Sequence, residues 1–156
     1  MPVIDVVSDA SVAVKWFHAE GEEEVTEARA LLDAHKARTA ALSVLDLTTY
    51  EVGNALMRRR AGANVEQVAV VLDALAEVCP ALRPNLEELR LATTLASRHR
   101  LTLYDAAYAA VAQSREATLA TLDRELLDAG LGSRPSELAA QLAEGADEEP
   151  QEAEPK

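Results

Sequence analysis

The chain has 156 residues, 49% of them hydrophobic, enough to bury one core, and a formal charge of −12 that argues against a general basic surface for nucleic acid. One cysteine, Cys79, rules out an intrachain disulfide and fits a reducing compartment. No stretch approaches the ~20 apolar residues of a membrane helix, and MPVIDVV has no basic region ahead of an apolar run, so a soluble cytoplasmic protein without membrane contact is expected.

Taken in order, Val3 to Val7 is a β-branched run long enough for a strand and too short for a helix. It ends at Ser8-Asp9, and Ala10 to Phe17 reads as a turn or two of helix. Glu22 to Lys36 follows as a helix with Val25, Ala28, Leu31 and Leu32 on one face. Thr39 to Leu42 reads as a brief strand, and Ser43 with Asp46 as a capping box opening a helix to about Arg60. Glu51 lies beside that helix's apolar stripe, bordered by Leu47, Asn54 and Ala55. Asn64 with Gln67 caps the next helix, to about Glu77. Val78 to Leu82 is a candidate third strand, and Asn85 with Glu88 opens a helix ending near Arg98.

The stretch LTLYDAAYAAVAQSREATLATLD, Leu101 to Asp123, joins a helix capped by Thr102 to a strand at Ala117 to Thr121. About eleven helical residues descend roughly 16 Å, and about five strand residues climb back a similar distance. Asp105 and Asp123 should therefore return to one edge of the sheet, the edge where α/β proteins bind ligands. Beyond Asp123, Arg124 to Ala129 reads as a short helix closed by Gly130, LGSRP as a weak edge strand, and Ser136 to Ala143 as a last helix. Strands alternating with helices imply a mostly parallel sheet covered on both faces. Residues 1–144 form the expected domain. The acidic segment 145–156, with two prolines and no apolar periodicity, is expected to be disordered.

Asp9, Asp105 and Asp123 each occupy a place where an acid caps a helix, and Glu51 would serve as a solvated surface residue. Those separate explanations do not account for three acids at one sheet edge with a fourth on a neighbouring helix. Carboxylates gathered without partners repel one another and destabilise the fold. A hard cation such as Mg²⁺ or Mn²⁺ reverses this and recruits phosphate oxygens.

SDASVAVKWF, YEVGNALMRR, LTLYDAAYAAVA and ATLDREL resemble, in order and spacing, the motifs of PIN-domain ribonucleases, in particular the VapC-type toxins of bacterial toxin–antitoxin pairs. The likeness spans roughly residues 3 to 140. It implies a three-layer α/β/α sandwich with a mostly parallel sheet of four to five strands, Mg²⁺ or Mn²⁺, endonucleolytic hydrolysis of RNA, a homodimer, and inhibition by a VapB-type antitoxin. It carries the family's four acids onto Asp9, Glu51, Asp105 and Asp123, as catalytic and metal-binding residues, with Asn54, Ser11 and Thr121 in support. Two other classes share part of this pattern: a PIN-like binding module with little turnover, and a metal-dependent phosphatase. Among other candidates, Arg58, Arg59 and Arg60 read as a solvated helix end, with Arg58 or Lys15 as possible phosphate contacts. His18, His35 and His99 are too scattered for a metal site or a histidine-based ribonuclease. Trp16 and Phe17 read as core or a dimer contact, with an antitoxin groove as another use, and Cys79 as a small buried hydrophobe.

Overall fold

The computed structural model describes residues 3–19, 23–58 and 63–147. The first β-branched run forms β1 (Ile4–Ser8), followed by α1 (Ala10–Ala13), which tightens into a 3₁₀ turn (Val14–Trp16), and by α2 (Val25–Lys36). Next come β2 (Ala40–Leu45), α3 (Asp46–Arg58), α4 (Val65–Val78), β3 (Ala81–Leu82) and α5 (Leu86–His99). The chain continues through α6 (Leu103–Ser114), β4 (Thr118–Ala120), α7 (Arg124–Asp128) and α8 (Pro135–Asp147). The strands form one sheet in the order β3-β2-β1-β4, parallel at every pairing.

The side-chain alternation of a strand divides the core into two. Val6, Leu42, Val44 and Ala120 face one cluster, shared with α1 to α4 and α8. Their neighbours Val7, Leu45 and Leu119 face the other, shared with α5, α6 and α7. The result is an α/β/α sandwich. Between α5 and the sheet, α6 is buried without interruption from Ala106 to Ala112. Its five alanines in that run let the helix backbone come close to the strands. Both asparagine capping boxes form, at Asn64 with Gln67 and at Asn85 with Glu88. Helix α8 takes its cap from a distance: the Ser136 amide and the Arg134 guanidinium both donate to the Glu24 carboxylate, at 2.9 and 3.0 Å.

Four local expectations are corrected. Ser43 does not cap a helix, because it lies inside β2, paired in register with Val7; the parallel ladder outweighs a local side-chain cap. Helix α4 runs through Val78, so the third strand is only Ala81–Leu82 and Cys79 is a buried residue at a helix end, its thiol pushed up to about 11 by burial. The segment after Gly130 makes a single parallel bridge, Ser133 to Ala120, so among the described residues the sheet has four strands and this segment adds no fifth. Helix α8 extends to Asp147, past the boundary expected at 144. Residues 148–156 of the acidic segment, together with Arg59, Arg60 and Glu22, lie outside the described residues. Among the described residues no helix is long and apolar enough to cross a membrane.

Candidate active site

Parallel strands deliver their carboxyl ends to one edge. Asp9 directly follows β1, and its amide donates to the Ala120 carbonyl at the end of β4 (3.1 Å), so β1 and β4 stay zipped up to the site. Asp123 stands three residues beyond β4. Helix α6 feeds β4 through a tight turn at Arg115 to Ala117, so its opposite end, bearing Asp105, returns to the edge where β4 finishes. Glu51 comes from α3, which leaves the carboxyl end of β2. It is half-buried beside the apolar stripe of its helix, as its neighbours in sequence imply.

Asp9 is the deepest of the four, 5% exposed. Its Oδ1 accepts from the Ser11 hydroxyl and, at 3.4 Å, from the Val12 amide, while its Oδ2 accepts from the Thr121 hydroxyl. Each hydroxyl is held in turn by the backbone after β4: the Leu122 amide donates to Ser11 Oγ (2.9 Å), and the Asp123 amide to Thr121 Oγ1 (3.0 Å). Those amides can only donate, so each hydroxyl's own proton is directed to Asp9. Ser11 and Thr121 thus link the acid at the end of β1 to the backbone at the end of β4. Asp9 and Asp123 also cap helices; Asp123 Oδ1 accepts from the Glu125 amide at 2.9 Å. Capping and membership of the acidic group are properties of the same residues.

The acids feel one another. Burial pushes the Asp9 carboxyl up to about 6, against the pull of its hydroxyl and amide donors, with Glu51 adding to the rise. Glu51 is raised by burial, opposed by a hydrogen bond from Tyr108 Oη (2.7 Å) and reinforced by Asp105 and Asp123. Asp105 is raised by burial and by Asp123, with Glu125 adding. Asp105, Asp123 and Glu125 each bring a carboxylate oxygen within 4.8 Å of the others. Such a set of hard, repelling oxygen donors fits a divalent cation of the Mg²⁺ or Mn²⁺ class.

Glu125 was missed in the sequence because an acid in the first turn of a helix needs no further explanation; its place two residues after Asp123 was the available signal. Tyr108 and Thr48, both buried, were missed because they read as core. Asn54 is exposed and stands apart from the hydrogen-bonded set. Lys15 is buried, 5% exposed, and so is not a surface phosphate contact. Arg58 is exposed at the end of α3.

A model of the PIN domain matches residues 6–131. The chain is 36% identical over 127 residues to a protein of Pyrobaculum aerophilum named Ribonuclease VapC3, covering 79% of this chain and 92% of the relative. The crystal structure of PAE2754 from Pyrobaculum aerophilum superposes with a TM-score of 0.67 at 27% identity, over 92% of this chain and 99% of that one. A chain from a toxin–antitoxin complex of Klebsiella pneumoniae shares the fold at a TM-score of 0.59 and 20% identity, over 83% of this chain and 97% of its own.

Two expectations follow. A carboxyl raised by folding favours the folded state when protonated, and that contribution is lost as pH rises through its folded value. For Asp9, a rise from 3.8 to about 6 is worth about 3 kcal/mol. In urea unfolding with EDTA, Asp9→Asn should therefore be more stable than the parent at pH 8, with the advantage shrinking as pH falls from about 6 toward 4; a pH-independent difference would contradict the assignment. The second concerns Gly132, where a Cβ would sit 2.5 Å from Thr121 Cγ2 and 3.1 Å from the Leu119 carbonyl. Gly132→Ala should cost about 1–3 kcal/mol by overpacking, and unchanged stability would show that Thr121 is not pinned there.

Proposed function

This chain belongs to the PIN-domain family, and from that premise we propose that it is a metal-dependent endoribonuclease toxin, inhibited by a VapB-type antitoxin. The observation that carries the reading is the acidic edge: Asp9, Glu51 and Asp105 are raised by burial, with Glu51 adding to the rise of Asp9, Asp105 and Asp123 to that of Glu51, and Asp123 and Glu125 to that of Asp105. Asp105, Asp123 and Glu125, together with Glu51 and Asp9, would hold the ion, with Ser11 and Thr121 keeping Asp9 in place. Bound Mg²⁺ or Mn²⁺ supplies the positive charge that draws a phosphodiester into an acidic body and the Lewis acidity that makes water a nucleophile near neutral pH.

The reaction is hydrolysis: water oxygen bonds to phosphorus, the bond from phosphorus to the 3′ oxygen breaks, and that oxygen leaves with a proton. The carboxylates are the groups available to take the proton from water. No histidine lies among them, so the 2′-hydroxyl need not be the nucleophile. RNA as substrate is supported by the relative named a ribonuclease. It is also supported by Tyr50 and Tyr104, 74% and 64% exposed, each next in sequence to one of the acids and open to stacking by unpaired bases. The antitoxin is supported by the shared fold with a chain from a toxin–antitoxin complex. A homodimer and a cytoplasmic setting complete the proposal, with a nuclease domain that includes the whole of α8 and so ends past 144.

The test is cleavage of a mixed pool of structured RNA by antitoxin-free protein, with Mg²⁺ or Mn²⁺ and with EDTA. Discrete fragments with 5′-phosphate ends are expected, lost in EDTA and reduced at least ~100-fold in Asp9→Ala and Asp105→Ala. Cleavage that persists in EDTA or in both variants, or that leaves 2′,3′-cyclic phosphates, would overturn the reading. No cleavage with either metal would point to a binding module.

A further inference from the structure

Tyr108 lies three residues after Asp105 on α6 and is among the largest fully buried side chains, 1% exposed. A tyrosine at that depth needs a partner for its hydroxyl, where phenylalanine would fill the same space without one. Tyr108 has two: Oη is 2.7 Å from Thr48 Oγ1 and 2.7 Å from Glu51 Oε1. The directions of these bonds are set by the backbone. The Leu45 amide, at the last residue of β2, donates to Thr48 Oγ1 (3.1 Å). Tyr108 donates to the Glu51 carboxylate, which when ionised can only accept, so the proton between Thr48 and Tyr108 belongs to Thr48. One directed chain runs from the end of β2 through Thr48 and Tyr108 to Glu51, and Thr48 is itself fully buried.

The chain opposes a definite force. Glu51 is half-buried on α3 and carries three rotatable bonds, and Asp105 and Asp123 repel it. With nothing to hold it, the lower-energy rotamers are those that swing the carboxylate out to water. The Tyr108 hydroxyl is a neutral donor, so it holds Oε1 without cancelling the charge a cation needs. Oε2 accepts no hydrogen bond from the described residues and stays open to a ligand.

We infer that Tyr108 is a positioning residue, which through the relay from Thr48 keeps the Glu51 carboxylate within the acidic group for metal binding and RNA cleavage. The inference rests on the metal-nuclease reading of that group. Hydrogen-bond partners of metal ligands commonly change affinity by about 10–100-fold when removed. Tyr108→Phe should therefore weaken Mn²⁺ binding, measured by calorimetry, about tenfold, and lower kcat on RNA about 10–100-fold with little change in KM.

The deciding experiment is a double-mutant cycle on Mn²⁺ affinity. If Tyr108 acts through Glu51, Tyr108→Phe changes nothing further in a Glu51→Ala background. If it merely supports the fold, the same loss appears in both backgrounds, and the inference fails. Thr48→Val, which keeps the shape and removes the hydroxyl, should weaken Mn²⁺ binding in the same direction by a smaller factor, and serves if Tyr108→Phe does not fold. Parent-like Mn²⁺ affinity in a folded Tyr108→Phe or Thr48→Val protein would overturn the positioning role while leaving the nuclease reading intact. Absence of Mn²⁺ binding by the parent protein would instead overturn that reading, and this inference with it.

Discussion

A carboxylate does not stay ionised in a protein interior, beside other carboxylates, unless donors hold it, and Asp9 sets this constraint on the whole sheet edge. Its two oxygens are taken by the Ser11 and Thr121 hydroxyls, and those hydroxyls are taken by amides of the segment leaving β4. The site is thereby built into the seam between two neighbouring parallel strands. Movement of β4 relative to β1 would break bonds to Asp9, and the absence of a side chain at Gly132 lets the next segment pack directly against Thr121. The donors offset only part of the cost of burial, since the Asp9 carboxyl remains raised to about 6. The remaining cost is what a cation would relieve.

The helices serve the same edge. Because α6 is small-residue and buried from Ala106 to Ala112, its middle packs close against the sheet, while its first turn, with the half-buried Asp105, emerges at the edge. Its outer end is fixed to α5, where the Arg115 guanidinium makes two bonds to Glu88, at 3.0 and 3.1 Å. Glu88 is also the second half of the cap on α5, so one buried carboxylate anchors two helices. On the other face, Trp16 Nε1 donates to the Ala28 carbonyl at 3.0 Å, joining the turn after Asp9 to α2. These contacts involve none of the four acids.

Much of this was legible in the sequence, for physical reasons that differ from residue to residue. The alternation of short β-branched runs with amphipathic segments is a property of local periodicity, and the parallel sandwich follows from it. Asp9, Asp105 and Asp123 could be placed because each adjoins an element end whose direction the topology determines, and Glu51 because it borders an apolar stripe. Ser43 misled because its capping pattern with Asp46 is local, whereas its place in β2 depends on Val7, far away in sequence. The third strand was overdrawn at Cys79 because a buried, apolar C-terminal turn of a helix and a short strand have the same composition. Thr48, Tyr108 and Glu125 were illegible as neighbours of the four acids for a common reason: a buried hydroxyl or a first-turn acid acquires meaning only from its partner across the fold, 57 residues away in the case of Tyr108 and Glu51.

A cation bound at the acidic edge would relieve the self-repulsion of its carboxylates. The most direct test is thermal unfolding of metal-stripped protein as Mn²⁺ or Mg²⁺ is added, with Asp105→Asn alongside. Binding to the folded state alone stabilises by about 2.7 kcal/mol at a hundredfold excess over Kd, so Tm should climb with metal concentration in the parent protein and stay nearly flat in Asp105→Asn. A parent Tm indifferent to both ions, or an equal climb in the variant, would contradict it.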